Sequence, residues 1–282
     1  MVMNKSIPEI TLNDGTTLPV IGLGTYMLRG NEGANAINNA IDIGYRLIDS
    51  AYNYENEGTV GEAVRRSSVP REELRITSKL PGRYQEYDKA VTTIQESLYR
   101  ANLDYYDLYL IHWPNPKQEQ YVEAWQALID AKKRGLIRSI GVCNFIPEHI
   151  ERLEKETGVK PSINQIELHP YFNQAPQRKW HEENNITTES WSPFTRGFKD
   201  IQIDTLQTIA AQHNKTIPQI ILRWHYQLGA IPIPKSSSPA RQLENISIFD
   251  FSLDETEMSM ISGLTRTDGR INNQDPAVYE EF

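Results

Sequence analysis

Eight short apolar runs, separated by segments of helical periodicity, constrain this chain more than any other feature. They occupy residues 21–26, 47–50, 74–78, 108–113, 139–144, 164–168, 187–192 and 230–234. Buried parallel strands read this way, because both faces are covered and no clean polar face is needed. Helical segments are expected between them at 34–43, 58–66, 87–101, 120–134, 147–157, 175–185, 205–213, 218–228, 239–245 and 254–264. In 87–101, Ala90, Ile94, Leu98 and Ala101 form one stripe, and in 120–134 Val122, Trp125, Leu128 and Ile129 do the same. Eight strands alternating with helices over this length predict an α/β fold, a (β/α)8 TIM barrel, as one domain over 1–282. The runs 10–12 and 17–20 flank Asn13-Asp14-Gly15-Thr16, so an N-terminal β-hairpin is expected ahead of the barrel, placed to plug its bottom.

A doubly wound sheet is the alternative from spacing alone. Gly22-Leu23-Gly24 is a weak dinucleotide signal, because the residues after it do not open a helix at once. These glycines read instead as sites of close backbone packing.

A net charge of -8 argues against a nucleic-acid partner, which needs a basic footprint, but leaves room for a local basic cluster. The single cysteine, Cys143, excludes an internal disulfide and fits a reducing compartment. The first ten residues lack the apolar core of a signal peptide, and no apolar run reaches membrane-spanning length. A cytoplasmic protein with no membrane partner is expected. Without a coiled coil or an obvious interface, a monomer is expected too.

Functional residues of barrel enzymes gather at the C-terminal ends of strands. Asp49, Lys79 and His112 end the second, third and fourth runs, and Tyr54 follows Asp49 by five residues. Each alone has an ordinary reading as a helix cap, a loop aromatic, a solvated cation or a satisfied edge histidine. Together they suit carbonyl reduction. A tyrosine can give a proton to oxygen, a lysine cation favours its phenolate, an aspartate holds the lysine, and a histidine can polarise the carbonyl. The hydride must come from a cofactor. The scattered histidines show no metal-ligand spacing.

A second cluster, Ile233-Pro234-Lys235-Ser236-Ser237-Ser238-Pro239-Ala240-Arg241-Gln242-Leu243-Glu244-Asn245, puts two cations and several hydroxyls beyond the eighth strand. Pro239 can open a short helix whose first amides favour an anion. Lys235, Ser236 and Arg241 can then grip a phosphate; the ordinary reading is a charged loop and helix cap.

The segment Gly44-Tyr45-Arg46-Leu47-Ile48-Asp49-Ser50-Ala51-Tyr52-Asn53-Tyr54-Glu55-Asn56-Glu57, followed by Gly61, resembles the aldo-keto reductases, especially short bacterial members of the 2,5-diketo-D-gluconate reductase kind. The resemblance covers nearly the whole chain. It implies that Asp49, Tyr54, Lys79 and His112 are the catalytic tetrad, with Tyr54 as general acid. It implies that Asn144 and Gln165 hold a nicotinamide carboxamide and that Trp191 stacks on the ring. Cys143 stands where the family has a serine, and a thiol is the weaker hydrogen-bonding group. The resemblance further implies that Lys235, Ser236 and Arg241 hold the 2'-phosphate of NADPH/NADP+ and that Glu244 and Asn245 meet adenine. Tyr26 and Trp113 match substrate-pocket aromatics. The activity implied is NADPH-dependent reduction of aldehydes and ketones, with a permissive site for small carbonyl substrates such as methylglyoxal or 2,5-diketo-D-gluconate. An NADPH-binding sensor or regulatory subunit is the alternative, and an unrelated barrel lyase or isomerase a third reading.

Overall fold

The computed structural model describes residues 7–196 and 203–282. The chain opens with an antiparallel hairpin, β1 (Glu9–Thr11) and β2 (Thr17–Pro19), in which Ile10 faces Leu18. Its turn closes by Leu12 N donating to Thr16 O at 2.8 Å, while Gly15 takes a φ of 84°.

Strands and helices then alternate: β3 (Leu23–Gly24), α1 (Gly30–Ile43), β4 (Leu47–Asp49), α2 (Glu57–Arg66), β5 (Arg75–Leu80), α3 (Tyr87–Ala101), β6 (Tyr106–Ile111) and α4 (Tyr121–Lys133). There follow β7 (Ile137–Cys143), α5 (Pro147–Thr157), β8 (Ile163–Glu167), α6 (Ala175–Glu183), β9 (Thr187–Trp191), β10 (Pro193–Arg196), α7 (Ile203–His213) and α8 (Ile217–Gln227). The last are β11 (Ala230–Pro232), α9 (Pro239–Ile246) and α10 (Glu255–Ser262). All strands from β3 to β9, together with β11, form one eight-stranded sheet in which sequence neighbours pair in parallel. This is the expected (β/α)8 barrel with its N-terminal hairpin.

The sheet closes where β3 meets β11. Gly22 N donates to Pro232 O and Gly24 N to Pro234 O, both at 3.1 Å, and Gly24 bridges to Lys235. Pro232 and Pro234 have no N–H to return, so this seam carries only half of a normal ladder. That is why the first and last barrel strands are shorter than the runs 21–26 and 230–234. A side chain at Gly24 would put its Cβ 2.9 Å from Ile233 O, so the two glycines are needed for closure rather than for cradling a dinucleotide.

Leu12 and Leu18 of the hairpin pack inside the barrel with Leu47, Leu108, Leu110, Ile163 and Ile231. The hairpin therefore forms the barrel floor. Its tip is pinned by Lys132 Nζ and Ser139 Oγ, which donate to Asp14 Oδ2 at 2.6 and 2.8 Å. Outside the sheet, Ile37, Ile41, Ile94, Leu98, Trp125 and Leu128 give the helices their buried stripe. No helix among the described residues is long and apolar enough to cross a membrane.

Candidate active site

Parallel pairing sets Asp49, at the end of β4, beside β5, and β5 beside β6, so their C-terminal residues share one end of the barrel. Lys79 is completely buried. Its Nζ donates to Asp49 Oδ1 at 2.6 Å and to Ser50 O at 2.7 Å. Burial works against its charge, but the attraction of Asp49 and of the Tyr54 phenol outweighs it and holds Lys79 above its ordinary pKa. A lysine in this setting stays a cation.

The cation lies 5.0 Å from the centroid of the Tyr54 ring. Tyr54 sits in a single 3-10 turn, Tyr52–Tyr54, directly after β4. Its ring is partly exposed at the mouth, while its phenol end is enclosed near Lys79, Asp49 and Cys143. Burial pushes its pKa up to about 12; Lys79 opposes the rise and Asp49 adds to it. The cation thus acts in the direction expected from the sequence, but desolvation wins in the net.

Below this pair runs a layer that the sequence did not disclose. Gln165 Nε2 donates both to Asp49 Oδ2 at 2.9 Å and to Glu189 Oε2 at 2.7 Å. Glu189 is fully buried, and its pKa is pushed up to about 8, first by burial and then by the negative charge of Asp49. It is mostly uncharged at neutral pH. The only hint in the sequence was an acid in the middle of an otherwise buried strand run.

His112 lies at the rim, its ring centroid 6.1 Å from that of Tyr54. Its Nδ1 stands 2.7 Å from Glu281 Oε1, near the end of the chain. The ring N–H is not aimed along that line, so the contact is a close polar approach rather than a straight hydrogen bond. The Glu281 carboxylate also accepts from Asn53 Nδ2 at 2.7 Å and from Gly82 N at 2.8 Å. The polar tail contains no pattern from which this partner of His112 could have been picked out.

Two aromatics flank the tetrad. Tyr26 is 58% exposed and meets Tyr54 edge-on at 5.2 Å. Trp113 is buried against Tyr279 of the tail at 4.5 Å.

Asn144 directly follows β7 with a φ of 60°, a left-handed geometry that asparagine tolerates. Its Nδ2 donates to His112 O at 3.0 Å, and its Oδ1 accepts from Trp191 Nε1 at 2.8 Å. The indole is thereby fixed in orientation beside the tetrad. Cys143 is fully buried and belongs to the apolar cluster on the barrel axis, where desolvation raises its thiol pKa.

The second cluster follows β11. Lys235 and Arg241 are exposed, and among the described residues neither forms an ion pair. Ser236 is buried, and its Oγ accepts from Ser238 N at 3.2 Å, just ahead of α9. Glu244 accepts from Thr216 Oγ1 at 2.7 Å, and Asn245 is buried against the Tyr45 hydroxyl. The structure thus joins the tetrad with Gln165, Asn144 and Trp191 in one group, and Lys235, Ser236 and Arg241 in another, while Glu244 and Asn245 have partners inside the protein.

The model of the aldo/keto reductase family matches residues 20–266. The chain belongs to the aldo/keto reductase family. Among aldo/keto reductases it is 51% identical to 2,5-diketo-D-gluconic acid reductase B of a Corynebacterium strain, over 98% of this chain and 99% of that one. It is 45% identical to methylglyoxal reductase DkgA of Escherichia coli K12, over 90% of this chain and 92% of that one. The solved structure of an Asp-to-Ala variant of Gox0644 with NADPH matches with a TM-score of 0.92 at 42% identity, covering 98% of this chain and 100% of that one. Among the described residues no group of three or more His, Cys, Asp or Glu could hold a metal ion.

Proposed function

We propose that this aldo/keto reductase reduces small aldehydes and ketones, including sugar-derived ones, to alcohols with NADPH. The observation that carries the reading is the buried Lys79–Asp49 pair set against Tyr54 with His112 at the rim. The two relatives named for methylglyoxal and for 2,5-diketo-D-gluconic acid support the substrate class.

The residues fit the cofactor. Lys235, ahead of α9, and Arg241, in its first turn, form no ion pair among the described residues, which suits a phosphate. Trp191, steered by Asn144, offers a flat face for a nicotinamide, and Asn144 and Gln165 each retain hydrogen-bonding capacity for a carboxamide. NADPH, when bound, supplies the hydride. The chain's own part is the proton and the field. Tyr54 gives its hydroxyl proton to the carbonyl oxygen as charge develops there. Lys79, kept charged by Asp49, stabilises the phenolate left behind, and His112 binds the same oxygen at the rim. Tyr26 and Trp113 give the pocket its apolar walls. The proposal also carries a monomeric, cytoplasmic protein without a nucleic-acid partner, in keeping with its net charge of -8.

The test is loss of reduced-nicotinamide absorbance with methylglyoxal, 2,5-diketo-D-gluconate and an aromatic aldehyde, comparing NADPH with NADH. Turnover that favours NADPH is expected. Tight NADPH binding without turnover on any of the three would point to the sensor reading instead.

A further inference from the structure

Gln165 and Glu189 face each other across the parallel pair of β8 and β9, while Asp49 stands on β4, four strands further round the sheet. The Gln165 side chain therefore crosses the inside of the barrel to reach Asp49. Its Nε2 carries two hydrogens, and both are taken, one by Asp49 Oδ2 at 2.9 Å and the other by Glu189 Oε2 at 2.7 Å. Reversing the amide would set Oε1 against Asp49, the carboxylate that already pairs with Lys79, so acceptor would meet acceptor. The nitrogen is the end that faces the two acids.

The two bonds do different things. The one to Asp49 decides which end of the amide faces the ion pair, but a terminal amide torsion is soft and the plane could still swing about it. The bond to Glu189 fixes the plane. It also occupies the hydrogen that would otherwise be free to donate elsewhere. Glu189 Oε2 can accept whether or not the other oxygen carries a proton. What remains of the amide is Gln165 Oε1, which has no partner among the described residues and, unlike Glu189 Oε1, is not sealed off from the surface. Asn144 is the reverse case. Its Oδ1 is spent on Trp191 and one Nδ2 hydrogen on His112 O, which leaves one hydrogen to donate. One residue offers an acceptor and the other a donor, as a primary carboxamide requires.

We infer that Glu189 is a positioning residue for the cofactor: it locks the Gln165 amide so that only Oε1 faces the nicotinamide carboxamide, and at Gln165 the site reads the NH2 of that group rather than its oxygen. The inference rests on the cofactor reading above. Glu189 touches neither cofactor nor substrate in this account; it acts through Gln165.

The lock is read first without cofactor. In nitrogen-15 NMR of the free protein, with Gln165 assigned by Gln165→Leu, both side-chain amide protons should lie downfield, as hydrogen-bonded protons do. In Glu189→Leu one of them should move upfield. In Glu189→Gln, whose amide oxygen can still accept, both should stay. Binding is then read by tryptophan fluorescence, without substrate, for NADPH and for its 3-acetylpyridine analogue, which keeps the carbonyl oxygen and carries a methyl group in place of NH2. The native chain should bind the analogue roughly five- to a hundredfold more weakly, the range for an acceptor left unsatisfied. In Glu189→Leu that ratio should approach unity, because the freed amide can turn a hydrogen toward the acetyl oxygen, whereas Glu189→Gln should keep the native ratio. A purely structural role for Glu189 would weaken both cofactors alike and leave the ratio unchanged. A native ratio near one, or a Glu189→Leu variant with the native ratio and amide shifts, overturns the inference. Because the amide shifts are read on the free protein, failure of NADPH to bind would overturn the cofactor reading and not the lock.

Discussion

Replacing Lys79 with Met removes the one cation that both stabilises the site and tunes its acid. Lys79 is fully buried and Asp49 nearly so, with 2.6 Å between Nζ and Oδ1. Deleting one partner of such a pair leaves an uncompensated buried charge, and the expected loss of stability is about 3–5 kcal/mol. Gln165 still donates to Asp49 Oδ2, but an amide cannot neutralise it, and nearby Glu189 already resists ionising. Adding Asp49→Asn removes the stranded charge, so Lys79→Met/Asp49→Asn should regain most of the stability. Activity should not return. At 5.0 Å from the Tyr54 ring the cation favours the phenolate. With an effective dielectric near 20 this is worth about 3 kcal/mol, or roughly two pKa units of acid strength in Tyr54. If most of that is felt in proton transfer, the turnover falls roughly a hundredfold. Urea unfolding and steady-state NADPH oxidation read the two effects separately. A single variant as stable as the native chain, or a double variant no more stable than the single, would refute the reasoning.

Other expectations follow from the same layers. Glu189 has its folded pKa raised to about 8 from 4.5. Below 4.5 both states hold the proton, and as pH rises toward 8 the unfolded chain ionises first, so the native state loses stability across that window. Glu189→Gln cannot ionise. The stability difference, native minus variant, should therefore decline from pH 4.5 to 8 in parallel urea titrations, and a flat difference would mean that Glu189 is not held neutral. Arg241→Ala should raise KM for NADPH roughly ten- to a hundredfold, in keeping with about 1.5–3 kcal/mol for a hydrogen bond to a charged group, and leave KM for NADH nearly unchanged. Equal effects on both cofactors would remove Arg241 from the phosphate site.

The barrel and the grouping of Asp49, Tyr54, Lys79 and His112 at one end of it were legible because both follow local rules. Strand ends in a barrel converge by construction, so Asp49, Lys79 and His112 could be grouped from their place in three runs. The closure was less legible. Pro232 and Pro234 lie in a run that reads as one strand, yet their missing donors halve the seam and shorten it. The extended segment Pro193–Arg196, following the left-handed Ser192, was not anticipated either. The supporting charges were hidden for a different reason. Glu189 looks like any polar residue in a strand until the closed barrel turns it inward onto Gln165. Glu281 reaches His112 only because the tail crosses the mouth and is clamped by Asn115, which is a fact of tertiary path rather than of local pattern. The same holds for Glu244 and Asn245, whose partners Thr216 and Tyr45 lie on other elements.

The central claim is that Tyr54 gives the proton while the rest of the site binds and polarises. Tyr54→Phe keeps the ring between Tyr26 and Lys79 and removes only the hydroxyl. Steady-state reduction of methylglyoxal should fall by roughly two to four orders of magnitude, the range for loss of a positioned acid, while NADPH binding measured by fluorescence titration stays within a fewfold of native. Turnover near the native rate with binding intact would contradict the assignment.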